Sequence, residues 1–305
     1  MPNTLEYSKI FQPALDKQIV QESTTGWMEV NSKLVQYNGG NEVKLPSIVM
    51  DGLADYDRNT GYVDGAVTLK WETYKLTQDR GRKFQLDAMD VNETNFVATA
   101  GTIMGEFQRT LVVPEIDAYR YSAIASKAIA AEQNRAATIT DTNILTELLK
   151  DIAKVKEVVG NTSKLKIVMS ETMLINLGLD DKAAKRMSTV NNAAAGEVAT
   201  VITKIDGHEI TTTQQSLLQT AFKFNDGKTS GQEKGGFVKD SSAKAINWLI
   251  IAENAPIAVS KTDTVRVFDP ITNQRANAWD MDYRKYHDIW IPKSKEKSIF
   301  VNTVA

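Results

Sequence analysis

Phe96, Ala100, Ile103, Phe107 and Leu111 recur at helical spacing and make one apolar stripe along the segment 93–112. Gly101 and Gly105 oppose a helix there by about 1 kcal/mol each. Burying each large apolar residue of the stripe returns about 1.5–3 kcal/mol, so burial wins. Asn92 or Thr94 caps the start, with Glu93 near the positive end of the dipole. Gly101 and Gly105 share a face, which permits close approach by a neighbour or a bend. Pro114 ends or kinks the helix and suits the start of the next, with Glu115 and Asp117 in its first turn. A chain built around so long an amphipathic rod must supply sheet or helix surface to cover it.

That surface is expected on both sides in sequence. Leu5, Ile10, Phe11, Leu15 and Ile19 give an N-terminal arm holding one short helix. Val43, Leu45 and Ile48 read as a strand that Pro46 confines to an edge. Val67, Leu69 and Trp71 alternate with Thr68, Lys70 and Glu72, so 41–77 forms a long hairpin around the Gly-, Asp- and Asn-rich run Asp51–Gly65. Two strands alone are marginal in water, so this hairpin needs cover from its own chain or from a neighbour. Asp79-Arg80-Gly81-Arg82 reads as a turn, solvated or serving as an ion-pair node between subunits.

Helices follow at 114–131, 141–159 and 171–177, with a buried strand at 165–169 between the last two. Residues 180–200 and 223–244 read as surface loops, and 205–210 as a tight turn between strands. Ile246–Ile251 is the most buried strand, and the remainder is β-rich. The chain therefore leaves one domain near 131 and returns near 260, giving an α+β architecture.

Chemistry is sparse. The 305 residues contain no cysteine, which removes disulfides, thiol catalysis and cysteine-bound metal. The two histidines, His208 and His287, have no ligand spacing and read as structural. No phosphate-binding glycine loop, nucleophile elbow or zinc motif is present, so no catalytic, cofactor or metal residue is assigned. With 36 basic and 38 acidic side chains the chain has no field to grip nucleic acid. The run Trp248–Ala252 is far short of the roughly 18 residues of a membrane span. No secretory signal opens the sequence, so folding in a cytoplasm is expected.

Met89-Asp90-Val91-Asn92-Glu93-Thr94, Phe107-Gln108-Arg109, Pro114 to Arg120, Asp79-Arg80-Gly81-Arg82 and the closing Tyr283–Asp288 segment together resemble major capsid proteins of tailed bacteriophages, which have the Hong Kong 97 fold. The resemblance implies an N-terminal arm and start of a P-domain at 1–40 and an extended E-loop at 41–78. It further implies a P-domain with a spine helix at 79–130, an inserted A-domain at 131–260 and P-domain return strands at 261–305. It implies a structural protein, not an enzyme, that self-assembles into the hexamers and pentamers of an icosahedral head enclosing DNA. The implied partners are other copies of the chain, a separate scaffolding protein, a portal, decoration proteins, and DNA held without sequence-specific contact. The location implied is the virion, after assembly in the host cytoplasm.

Tyr56, Tyr62 and Trp71 would cover a neighbour, Asp79, Arg80 and Arg82 would contribute contacts between subunits, and Gly101 and Gly105 would be bend points. Lys70 or Lys75 and Asn302 are conceivable partners for the lysine–asparagine cross-link that some members form. An encapsulin-like compartment of the same fold that holds protein cargo is the nearest alternative, and a soluble cytoplasmic enzyme a more distant one.

Overall fold

The computed structural model describes residues 23–34, 36–37, 41–87, 103–160, 163–180, 182–183, 187–191, 200–273 and 276–305. The expected arm helix, the first half of the apolar stripe and Gly101 lie outside these residues. A 3-10 helix, Gly26–Leu34, precedes β1 (Gln36–Tyr37), β2 (Glu42–Met50), β3 (Val67–Lys75) and β4 (Gln78–Asp87). Residues 103–107 are helical, Gln108–Val112 form a π turn, and α1 runs Val113–Ala130. Then come β5 (Asn134–Ala136), α2 (Ile144–Val159), β6 (Leu165–Ser170), α3 (Glu171–Leu179), β7 (Met187–Asn191), β8 (Thr200–Ile205) and β9 (His208–Thr213). The chain finishes with β10 (Phe222–Phe224), β11 (Phe237–Lys239), β12 (Ile246–Ala252), β13 (Ile257–Phe268), β14 (Ala278–Trp290) and β15 (Ile299–Thr303).

The larger core is a seven-stranded sheet in the order β5-β15-β12-β6-β9-β8-β7. Its interior strand β12 is buried at every position, which a strand achieves only when both faces are covered. Tyr121, Ile124 and Ala128 of α1, Leu148, Ile152 and Val155 of α2, and Leu174 and Leu177 of α3 supply that cover. Asp206 and Gly207 both take positive φ in the two-residue β8–β9 turn, the geometry that matches strand twist. β7 pairs with β8, so part of the expected 180–200 loop is strand.

β15 lies between β12 and β5, because Ile299, Phe300 and Val301 bury fully there. Asn302 is buried, donating to Asp151 at 2.7 Å and accepting from Asn247 at 2.8 Å. An amide held this way is not presented to Lys70 or Lys75.

The smaller core is the sheet β13-β14-β4, whose Val265, Met281 and Tyr283 pack on Met104 and Val113 with Phe84 and Phe107 beside them. Pro114 does sit at the second position of α1, but the helix is not interrupted. The Val113 N–H reaches the Gln108 carbonyl, five residues back. The reason is phase. A straight α-helix continued backward from buried Val113 would bring Arg109 and Glu106 onto the core face. The extra residue of the π turn keeps Met104 buried instead and leaves Glu106 and Arg109 outside, paired at 2.6 Å. Leu111, expected on the buried stripe, is thereby 57% exposed, and Gln108 is buried with neither amide atom bonded.

Asp79–Arg82, expected as a turn, lies inside β4, with Arg80 opposite Lys285 and Gly81 opposite Arg284. Gly81 is needed for close approach: an added Cβ would stand 2.6 Å from the Tyr283 carbonyl oxygen. Gly81→Ala is expected to destabilise the chain by about 1–3 kcal/mol, the usual cost of overpacking. A denaturant midpoint indistinguishable from that of the unmodified chain would contradict this contact.

Candidate functional site

The β2–β3 hairpin is where apolar surface is left uncovered. β2 and β3 pair antiparallel from Glu42↔Lys75 to Met50↔Val67. At the base Val43, Leu45 and Leu76 bury against Ile257, Val259 and Trp290, with Tyr74 stacked on Trp290 at 5.6 Å. Directly paired residues share a face, and faces alternate along each strand. Val43 and Leu45 therefore belong to one face. Pro46 with Trp71, Ile48 with Leu69, and Met50 with Val67 belong to the other.

The second face is solvent-exposed: Ile48 is 60% accessible and Leu69 54%, whereas Val43 is at 0%. The apolar face thus changes sides midway along the ribbon. Pro46 is tolerated because β1 pairs with β2 only at Lys44 and Val43, leaving the edge beyond it free of a ladder partner.

The tip is built, not slack. Asp51 and Ala66 close it, with the Asp51 N–H on the Ala66 carbonyl at 3.2 Å and the Ala66 N–H on the Asp51 carboxylate at 2.8 Å. Asp57 and Gly61 exchange backbone bonds at 3.2 and 2.8 Å, and the Asp57 carboxylate accepts from the Asn59 N–H at 2.6 Å. Gly61 takes a φ of 85°, which the return of the chain requires. Tyr56 and Tyr62 meet in a tilted ring contact, centroids 4.9 Å apart, and Tyr62 is 88% accessible. Asp51, Asp55, Asp57 and Asp64 against Arg58 make the tip acidic.

The other predicted site residues lie elsewhere. Asp79 receives both arms of Arg284, at 2.8 and 2.6 Å, which holds its carboxyl below the usual range. Arg80 pairs with Glu115, donates to the carbonyls of Asn225 (3.1 Å) and Gly236 (3.2 Å), and lies over Phe224. Arg82 donates to the Glu233 carbonyl at 3.2 Å. These bonds hold the β10–β11 hairpin, so the expected 223–244 loop is anchored at its base by three residue pairs and two arginines, while 225–236 stays irregular. Gly105 is helical and buried.

Tyr74 is turned inward against the base of the hairpin, and its hydroxyl donates to Glu72 at 2.5 Å. The change of face itself was unforeseen. Its signal is the step from Leu45 to Ile48, which breaks the alternation by one position. Among the described residues no cluster of His, Asp or Glu is arranged to hold a metal. A cleft of about 380 Å³ beside α2 is lined by Arg135, Lys150, Asp151 and Lys154, where Asp151 is already bonded to Arg135, Trp248 and Asn302.

No family model matches the chain, and no curated protein matches it by sequence. Solved structures do match. One from Gordonia phage Cozz aligns over 93% of this chain and 87% of its own, at 14% identity and a TM-score of 0.59. The capsid of Staphylococcus phage Andhra aligns over 88% and 82%, at 14% identity and 0.55. The virus-like particle from Pyrococcus furiosus aligns over 97% and 99%, at 12% identity and 0.51. The fold is that of phage capsid proteins. On this fold the exposed face of the ribbon is surface that the subunit's own cores do not use.

Ile48→Asp combined with Leu69→Asp should therefore leave subunit stability within about 0.5 kcal/mol, as exposed substitutions do. Leu45→Ala, at the base, should cost about 2–5 kcal/mol. Chemical denaturation of the dissociated chain separates the two, and a large loss for the tip pair would show that the chain covers this face itself.

Proposed function

We propose that this chain is the major subunit of a phage head, self-associating into the hexamers and pentamers of an icosahedral shell around DNA. The observation that carries the proposal is the built ribbon whose outer apolar face nothing among the described residues covers, on a fold shared with capsid structures. In these terms 1–40 is the arm and start of the P-domain, 41–78 the E-loop, and 79–130 with 261–305 the P-domain around its spine helix. Residues 131–260 form the A-domain, to whose sheet β15 is added. Tyr56, Tyr62 and Trp71 lie against a neighbouring copy. Asp79, Arg80 and Arg82 would join a neighbour only by exchanging the partners they hold within the chain. Scaffold, portal and decoration proteins are the further partners of such a head, assembled in the host cytoplasm, with no chemical step required of the subunit.

Sedimentation and negative-stain microscopy of the purified chain should show capsomers or closed shells, and Ile48→Asp with Leu69→Asp should abolish them. A strict monomer at all concentrations overturns the proposal. The second reading is a compartment for protein cargo, to which the match with the virus-like particle from Pyrococcus furiosus lends weak support. Nucleic acid or scaffold inside purified shells supports the head, and an enclosed protein held by a short peptide supports the compartment.

Gly101 and Gly105 are proposed as bend points of the spine helix. Gly101→Ala with Gly105→Ala stiffens the helix by about 1 kcal/mol per site. Slowed or blocked shell expansion, followed by light scattering, is the expected result, and unchanged kinetics would leave close packing as the role of the two glycines.

A further inference from the structure

Three cation–carboxylate pairs converge where α1, β4, β13, β14 and the 3-10 helix Gly26–Leu34 meet. A row of side chains crosses the smaller sheet as Asp263, Lys285 and Arg80, and the adjacent row is Ser260, His287 and Gln78. Buried Lys285 donates to Asp263 at 2.5 Å. Arg80 pairs with Glu115 of α1, and fully buried Arg120 of α1 pairs with Glu29. Glu29 also accepts from the Ser260 hydroxyl at 3.4 Å.

His287 sits among these pairs, 4% accessible, with its ring edge-on to Tyr119 at 5.6 Å and its Nδ1 without a hydrogen-bond partner. Three cations answer three carboxylates, which leaves His287 as an uncharged fourth member. The neighbouring Asp288 has no spare oxygen to offer. It accepts from the Thr77 N–H and hydroxyl, the Tyr119 hydroxyl and the Ile289 N–H, at 2.6–2.9 Å.

We propose that His287 is a proton-sensitive joint that holds α1 against the β13-β14-β4 sheet while neutral and releases that contact when protonated. The groups facing it come from every element packed there. They are Lys285 on its own strand, Tyr119 and Arg120 on α1, Arg80 and Gln78 on β4 and Ser260 on β13, with Asp263, Glu115 and Glu29 as the carboxylates paired to the three cations. Each anion among them is engaged by a cation, so a proton on His287 finds positive charge and no free acceptor.

Burial first, then the charges of Arg120, Lys285 and Arg80, push its pKa well below the ordinary value. Once the joint opens, the ring returns to about 6.5. The open form therefore binds the extra proton. The closed joint is at full strength above about pH 6.5, and its opening constant rises by up to about tenfold for each pH unit below that. Burial pushes Glu29 upward, but Arg120 outweighs it and holds the carboxyl below its usual value, so this pair stays ionised through that window.

The chain's other histidine, His208, is also held below its usual pKa by burial, but it lies in the larger sheet, where it accepts from the Leu165 N–H at 3.4 Å. Position therefore separates the two titrations. Amide exchange of the full chain at pH 7.5 and 5.5, corrected for intrinsic rates, is the test. Peptides from α1, β4 and β14 should lose roughly tenfold in protection at pH 5.5, while β12 and β15, away from His208, keep theirs. His287→Gln should remove the loss, and His208→Gln should leave it in place. Uniform loss, no loss, or loss that persists in His287→Gln overturns the proposal. If His287→Gln does not fold, the pattern in the unmodified chain still decides, because α1, β4 and β14 must open before β12.

Discussion

One helix has to serve two cores. Residues 103–113 must face the smaller sheet through Met104 and Val113, and α1 must face the larger one through Tyr121, Ile124 and Ala128. A straight α-helix carries a single face, and here that face would bury Glu106 and Arg109 against Met281 and Tyr283. Desolvating two charges costs several kcal/mol, more than one irregular turn. The π turn at Gln108–Val112 is the cheaper solution, and its residual cost is visible in a buried, unbonded Gln108 and an outward Leu111. The helix thus joins the two sheets, alongside the 3-10 helix Gly26–Leu34 and the ends of β13 and β14, whose Met28, Ala258 and Ile289 also pack in the larger core.

Three buried carboxylates then fix what packs on the helix and sheets. Asp117 of α1 accepts from the Ser23, Thr24 and Thr25 hydroxyls at 2.5–2.7 Å and from the Thr24 N–H at 3.0 Å, seating the segment that leads into the 3-10 helix. Asp288 ties the β3–β4 connection to α1 through Thr77 and Tyr119. Asp151 joins α2 to β12 and β15 through Trp248 and Asn302, with Arg135 as its counter-charge. None is an orphan, and that is why burial is affordable: a carboxylate with a full set of donors keeps its charge solvated by the protein. The same saturation turns each into a specific joint, since losing one donor leaves the others around an under-solvated charge.

Much of this was legible in the sequence, and the failures have physical causes. The alternation of Val67, Leu69 and Trp71 predicted a hairpin because period two survives any tertiary context. The helix expected at 171–177 does begin there, capped by the Ser170 hydroxyl, which accepts from the Met173 N–H. Asp79–Arg82 was misread because Gly81 beside three charged residues has the composition of a turn; its glycine serves close strand packing instead. Leu111 was misplaced because spacing arguments assume a constant period, which the π turn breaks. The paired charges of the smaller sheet were invisible, since Lys285, Asp263 and Arg80 are adjacent only through pairing of distant strands. At the ribbon, Trp71, Tyr56 and Tyr62 were singled out as exposed aromatics. The face that Trp71 shares with Ile48 and Leu69 became apparent only once the register across β2 and β3 was known.

That register also bears on how a ribbon with so much exposed apolar surface avoids indiscriminate association. Its free edges present unpaired backbone groups, an invitation to stray strand pairing. Against this, Lys70 and Glu72 occupy the face opposite Trp71, Ile48 and Met50, and aspartates crowd the tip. Edge pairing by a second ribbon would bring like-charged tips or lysines together, whereas contact through the apolar face avoids both. Charge thus leaves face-on docking as the favoured mode. The tip's internal bonds and the Tyr56–Tyr62 ring contact mean that little chain entropy remains to be lost on docking. A contact that is apolar, oriented by charge and ordered in advance can be individually modest and still specific when many copies repeat it.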